Sequence, residues 1–141
     1  LLVASPRYLE QHGTPKKPQD LKDHHALIYS SVQGDDIWRL SGAGGEVVSV
    51  RVAGRLRSNN LSALLAAARA DMGIAALPRY VAVESLASGS VVEVLKSSRL
   101  PEQEMHAVFP SPRLVPQKVQ ALIAFLQPRF AEQWWDRLPK V

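Results

Sequence analysis

Twice between residues 48 and 78 the hydrophobic period of this chain changes, and the order of the changes limits the folds open to it. Val48, Val50 and Val52 alternate with Ser49 and Arg51, the period of two that a strand with one wet face requires. From Leu61 the apolar positions become Leu61, Leu64, Leu65, Ala68 and Met72, the i, i+3, i+4, i+7, i+11 spacing of a helix face. Alanines at 63, 66, 67, 68 and 70 keep that helix slim enough to pack closely on a sheet. Gly73 is placed to cap it, and Ile74 to Leu77 is an apolar run of four residues, short enough to be a buried strand that Pro78 ends. Strand, helix and buried strand in this order predict an α/β fold.

The flanking segments fit that class. Ser5-Pro6 before RYLEQHG predicts a short helix, with Ser5 as N-cap, Pro6 at the first helical position and Gly13 as a left-handed stop. TPKKPQDL reads as a loop ending in a turn of helix at Gln19 to Lys22, and HHALIYSS as a strand. DDIWRLSGAGGEVVSVRVAGRLRS reads as consecutive short strands in an antiparallel meander, with a turn at Gly42 to Gly45 and a bulge or bend at Gly54. Beyond Pro78 we expect a helix from about Arg79 to Ala87 with Gly89 after it, a strand at 91 to 95, a polar linker around Ser97 to Glu102, and a strand in MHAVFP. Pro116 stands near the start of a last helix, with Val119, Leu122, Ile123, Leu126, Phe130 and Trp134 along one side and Pro128 breaking or kinking it. Of the neighbours Trp134 and Trp135, one covers the core while the other faces outward.

Composition removes several function classes. The chain has 141 residues, 46% hydrophobic and 21% charged, which is ordinary for one globular domain. With no cysteine, a disulfide framework, a thiolate zinc site and a cysteine nucleophile are excluded, and a cytoplasmic setting is the default. No apolar run approaches the roughly 18 residues of a membrane span, and Leu1-Leu2-Val3-Ala4 lacks the basic start of a secretory signal. The first residue is not Met and lies in what reads as a β-run, so we expect a longer polypeptide around this chain. The net charge of +4 raises nucleic acid as a partner, but the arginines are scattered, with one local cluster at 51, 55 and 57, as on a solvated surface.

Between the alternating run and the helix stand Ser58, Asn59 and Asn60. Side-chain oxygens there serve as an N-cap, and the same first turn, with its free N–H groups and dipole, favours an anion. The ligand reading gains if the helix starts at the carboxyl end of a strand, where open α/β sheets form their crevices. Other motifs are weaker. D-L-K-D-H-H at 20 to 25 crowds two Asp and two His without the spacing of a metal site, and we expect no metal and no cofactor. SGAGGE lacks the Lys-Ser/Thr of a nucleotide-gripping loop, and no G-x-S-x-G elbow occurs, so we expect no enzyme and no catalytic residue.

Five blocks in order, ASPRYLEQHGTPKKPQDLKDHHAL, W-R-L, GRLRSNNLSALLAAARADMGIAALPRYV, SGSVVEVL and HAVFPSPRLVPQKVQALIAFL, resemble the C-terminal part of a LysR-type transcriptional regulator across nearly all of residues 1 to 130. The resemblance implies an effector-binding domain with the fold of type 2 periplasmic binding proteins: two α/β lobes with a small molecule in the cleft between them. Residues 1–5 would be an inter-lobe crossing strand, 6–97 the second lobe, and 98–141 a segment returning to the first lobe. The earlier half of that lobe and the N-terminal winged helix-turn-helix are absent from this chain. By position, Ser58, Asn59 and Asn60 resemble the family's cleft-facing loop and helix start, and Leu77 and Pro78 the cleft loop after the buried strand. Ala4 and Ser5 match the A-S-P of the inter-lobe crossing, and Met105 and His106 fall where the first lobe offers a wall. Asp71 departs from the small residue expected after the helix.

The expected function is therefore sensing of a small, anionic effector by a cytoplasmic, oligomeric bacterial regulator that meets DNA only through its missing N-terminal domain. No membrane is involved. The alternative on the same fold is an extracytoplasmic solute-binding protein serving a transporter.

Overall fold

A computed structural model describes residues 1–30, 36–42, 44–101, 106, 108 and 115–130. It divides into two compact units, Leu1–Pro101 and Glu102–Val141. In the first, strand β1 (Leu2–Ala4) leads into helix α1 (Pro6–His12). Ser5 Oγ accepts the Tyr8 N–H at 3.0 Å, and Gly13, at φ 83°, returns its N–H to the Leu9 carbonyl, so both ends of this short helix are closed as the sequence predicts. A 3-10 helix (Pro18–Asp23) precedes β2 (His25–Tyr29). Then follow β3 (Ile37–Ser41), β4 (Val47–Arg51), β5 (Ala53–Ser58), α2 (Leu61–Arg69), β6 (Ile74–Ala76), α3 (Arg79–Ala87) and β7 (Val92–Val94).

Five strands form one sheet in the order β5-β2-β6-β1-β7. β2 lies parallel to both β5 and β6, and β1 runs antiparallel to β6 and β7. Alternation along each strand separates two apolar layers. Leu2, Ala4, Ala26, Ile28 and Ile74 face Tyr8, Leu21, Trp38, Leu40 and Val50. Val3, Leu27 and Ala75 face Leu64, Ala67 and Ala68 of α2 and Ala82 of α3. Helices thus cover one face, while α1, the 3-10 helix and the β3–β4 pair cover the other. Each large side chain held there, such as Leu27 or Leu64, contributes about 1.5–3 kcal/mol.

Three expectations need correction. The meander stops after β4: β3 and β4 form an antiparallel pair of their own, whereas β5 leaves it to run parallel to β2. A bulge makes that possible, because Ala26 pairs with Gly54 and Leu27 with Leu56, so Arg55 is the extra residue. Gly54 is needed at the bend, since a Cβ there would stand 2.7 Å from Ile28 Cδ1. Second, α2 ends at Arg69, so Met72 is not on its face. The left-handed residue after it is Asp71 at φ 60°, and Gly73 is required for close approach, because a Cβ would sit 2.4 Å from the His25 carbonyl oxygen. Third, the last helix, α4 (Gln117–Leu126) in the second unit, is broken before Pro128, one of the two outcomes expected there, so Phe130 is not on its face. Within that unit Leu122 and Phe125 are more than half exposed. Apart from His106 and Val108, MHAVFP lies outside the described residues, as do Trp134 and Trp135.

Candidate functional site

Because β2, β5 and β6 run in one direction, their carboxyl ends arrive at one edge of the sheet. Tyr29 pairs with Ser58 there, and the Ser30 N–H donates to the Ser58 carbonyl at 3.0 Å. The antiparallel β1 starts at the same edge, where the Leu77 N–H donates to the Leu1 carbonyl at 2.9 Å. Open α/β sheets bind ligands outside the carboxyl ends of their strands, and the direction of β5 puts the Ser58 turn at that end.

The turn is largely self-satisfied. Asn60 is the N-cap of α2, its Oδ1 accepting the N–H groups of Ser62 at 2.9 Å and Ala63 at 3.2 Å. Ser58 Oγ accepts the Asn60 N–H at 3.1 Å. The capping reading is therefore realised in Asn60, while the exposed Asn59 side chain makes no hydrogen bond among the described residues. Leu77 is buried, and Pro78 takes the N-cap position of α3 without a side-chain cap. Two helices thus begin at this edge, with their partial positive ends and the exposed Arg79 directly after Pro78.

Ala4 and Ser5 are not part of this group. Leu2 pairs with Ala76 and Val3 with Ala75, so the end of β1 lies toward the start of β6, at the opposite edge. Both residues are buried, and the Ser5 hydroxyl is engaged by the fold: it caps α1 and donates to Asp71 Oδ1 at 2.6 Å. Asp71 also meets Arg7 Nε at 3.6 Å, which explains an acidic residue where a small one was expected. His106 is exposed and belongs to the second unit, and Met105 lies outside the described residues. The sequence reading passed over Tyr29, Ser30 and Arg79. The signal for the first two was the shift from apolar to polar at the end of HHALIYSS.

The acidic and histidine-rich run builds structure instead. Asp20 Oδ2 accepts the N–H groups of Lys16 at 2.9 Å and Lys17 at 3.1 Å, which holds its carboxyl below the usual range. His24 is buried, with Nδ1 3.2 Å from the Tyr8 hydroxyl, and burial lowers its pKa. Burial raises that of Tyr8, against the opposing hydrogen bond from the His25 N–H. Among the described residues no three His, Cys, Asp or Glu converge as a metal site. No helix among the described residues is long and apolar enough to cross a membrane.

Comparison with known proteins bears on the family and the fold. The family described as LysR substrate binding domain matches residues 1–131. An uncharacterised HTH-type transcriptional regulator of Haemophilus influenzae is 32% identical over 120 residues, covering 85% of this chain and 41% of the relative. A probable HTH-type transcriptional regulator, LtrA, of Klebsiella pneumoniae is 37% identical over 95 residues, 67% of this chain and 30% of its own length. Among solved structures, full-length AphB of Vibrio cholerae, a virulence activator, superposes with a TM-score of 0.65 at 31% identity, over 72% of this chain and 34% of that one. The regulatory domain of a Vibrio vulnificus AphB variant gives 0.64 at 31% identity, over 72% and 54%. The chain thus spans less than half the length of these curated relatives. With a mixed sheet covered on both faces and a family match over residues 1–131, this chain belongs to the LysR substrate-binding domain family, whose matched relatives are transcriptional regulators.

Proposed function

We propose that this chain is the effector-sensing part of a LysR-type transcriptional regulator and holds a small anionic metabolite at the carboxyl edge of its five-stranded sheet. The observation that carries the reading is the meeting of three parallel strand ends with the amino ends of α2 and α3 at Ser58–Asn60 and Leu77–Pro78. Asn59, whose side chain makes no hydrogen bond among the described residues, and the Ser58 hydroxyl present polar groups to the ligand. Leu77 and Pro78 shape an apolar side, and Arg79 adds positive charge. Ser5, already bonded to Asp71 and the Tyr8 N–H, acts in the fold and not on the ligand.

On this reading residues 1–5 are the inter-lobe crossing strand, 6–97 the second lobe, and 98–141 a segment of the first. The ligand favours one arrangement of the lobes, and that difference in affinity alters how a cytoplasmic homo-oligomer presents its separate DNA-binding domains. The domain performs no catalysis. The relatives are named as transcriptional regulators, which favours this over a transport receptor. The test is a thermal-shift screen of small mono- and dicarboxylates against the chain and its Asn59→Ala variant. A carboxylate that stabilises the parent and loses its effect in the variant is expected. Equal stabilisation of both places the ligand elsewhere.

A further inference from the structure

Opposite the candidate site, at the amino ends of the parallel strands, three histidines gather around one buried tyrosine. Tyr8 on α1 is fully buried. Its ring stacks on His12 with centroids 4.3 Å apart, and His12 meets His25 edge-on at 5.8 Å. The Tyr8 hydroxyl oxygen accepts the His25 backbone N–H at 2.9 Å and lies 3.2 Å from Nδ1 of the buried His24. A hydroxyl has one proton to give. With the His25 N–H already on that oxygen, the arrangement that gives the buried Tyr8 proton an acceptor points it at His24 Nδ1, with the ring neutral and its hydrogen on Nε2; the reverse, Nδ1–H donating to the second lone pair, leaves the Tyr8 proton without an acceptor among the described residues.

We propose that the Tyr8–His24 hydrogen bond is a proton-operated latch that fastens α1 to the start of β2 and opens on mild acidification. Protonating His24 puts an N–H where the Tyr8 O–H had its acceptor and leaves that hydroxyl proton unpaired at a buried position. The groups facing His24 do not reverse this. From α1 come Tyr8 and the further imidazole of His12, and from β2 comes His25. Asp20 and Asp23 of the 3-10 helix favour the charged ring, but Asp20 is directed at the N–H groups of Lys16 and Lys17. Arg55 of β5 acts on the tyrosine with the same sign as a charged His24. Opening the latch frees the anchor of α1, because Tyr8 packs in the layer that Leu21, Ala26 and Ile28 share.

The test is amide hydrogen exchange on the full chain between about pH 7.5 and 5.5, a range that spans the ordinary imidazole value of about 6.5, after correction for intrinsic rates. Protection of the Tyr8 and His25 amides is expected to fall by up to about tenfold per pH unit below that value, the limit for one linked proton, while amides of α2 change less. In His24→Asn, which keeps an acceptor near the Nδ1 position but does not titrate, the fall should vanish. An equal fall in that variant overturns the latch. Should the variant fail to fold, nitrogen NMR of His24 in the parent decides: Nδ1 without a proton at about pH 7.5, and a fall in Tyr8 and His25 protection that follows the charging of His24, uphold the proposal, whereas a protonated Nδ1 in the neutral ring, or protection unchanged as His24 charges, refutes it.

Discussion

Ser5 and Asp71, 66 positions apart in sequence, are joined by a 2.6 Å hydrogen bond that ties the start of α1 to the left-handed residue after α2. The serine hydroxyl serves twice, accepting the Tyr8 N–H while donating to the carboxylate. Ser5→Ala removes both bonds at a buried position, and we expect a loss of about 2–3 kcal/mol, a cap plus a hydrogen bond to a charged group. Urea denaturation measures it. A double-mutant cycle with Asp71→Ala should return a coupling above about 1 kcal/mol, and strict additivity would mean the bond is absent in solution.

Two glycines separate backbone freedom from close approach. Gly13, at φ 83° and ψ 163°, has open space where a Cβ would go, so Gly13→Ala should cost only the backbone penalty of that glycine-favoured region, about 1–3 kcal/mol. At Gly73 the Cβ would stand 2.4 Å from a backbone oxygen, His25 O, which β2 holds in the sheet. Gly73→Ala should therefore cost clearly more than Gly13→Ala, about 3 kcal/mol or above, because the neighbour is not a side chain that can turn aside. Thermal denaturation of the pair tests the order, and equal losses would contradict the packing.

Acid sensitivity has a local source at Asp20. Its folded pKa is lowered, chiefly by the Lys16 and Lys17 N–H groups, so the stability it contributes is present above the ordinary carboxylate value and is lost as pH falls through the folded one. Asp20→Ala should reduce the slope of stability against pH below about pH 4 while barely altering it near neutrality, where no proton is exchanged. Unfolding midpoints measured across that range decide it.

How much of this was readable in advance follows from the distance over which each feature is determined. The limits of α1 were legible because Ser5, Pro6 and Gly13 act within one turn, and α3 lies where the reading put it, over Arg79–Ala87. The pairing of β5 with β2 was not, because a strand's partner depends on residues far away, and Arg55 looked like one more alternating position instead of a bulge. The same limit affected the site. Ser58 to Asn60 stood out as polar residues at a change of period, but nothing in A-S-P declares that β1 runs antiparallel. Ala4 and Ser5 were thus grouped with residues at the other edge of the sheet.

Asn59 and Asn60, adjacent in sequence, should separate fold from response. Asn60 Oδ1 holds the Ser62 and Ala63 N–H groups, so Asn60→Ala should cost about 1 kcal/mol of stability, and Asn60→Asp should preserve the cap. Asn59 is exposed and caps nothing, so Asn59→Ala should leave stability within about 0.5 kcal/mol of the parent. If the edge formed by Ser58 and Pro78 receives the effector, a reporter driven by the complete regulator should lose its response with Asn59→Ala despite that unchanged stability. Asn60→Asp, which adds negative charge where an anion is expected, should lose it as well. A normal response from both variants would move the ligand away from this edge, because neither change could then be touching it.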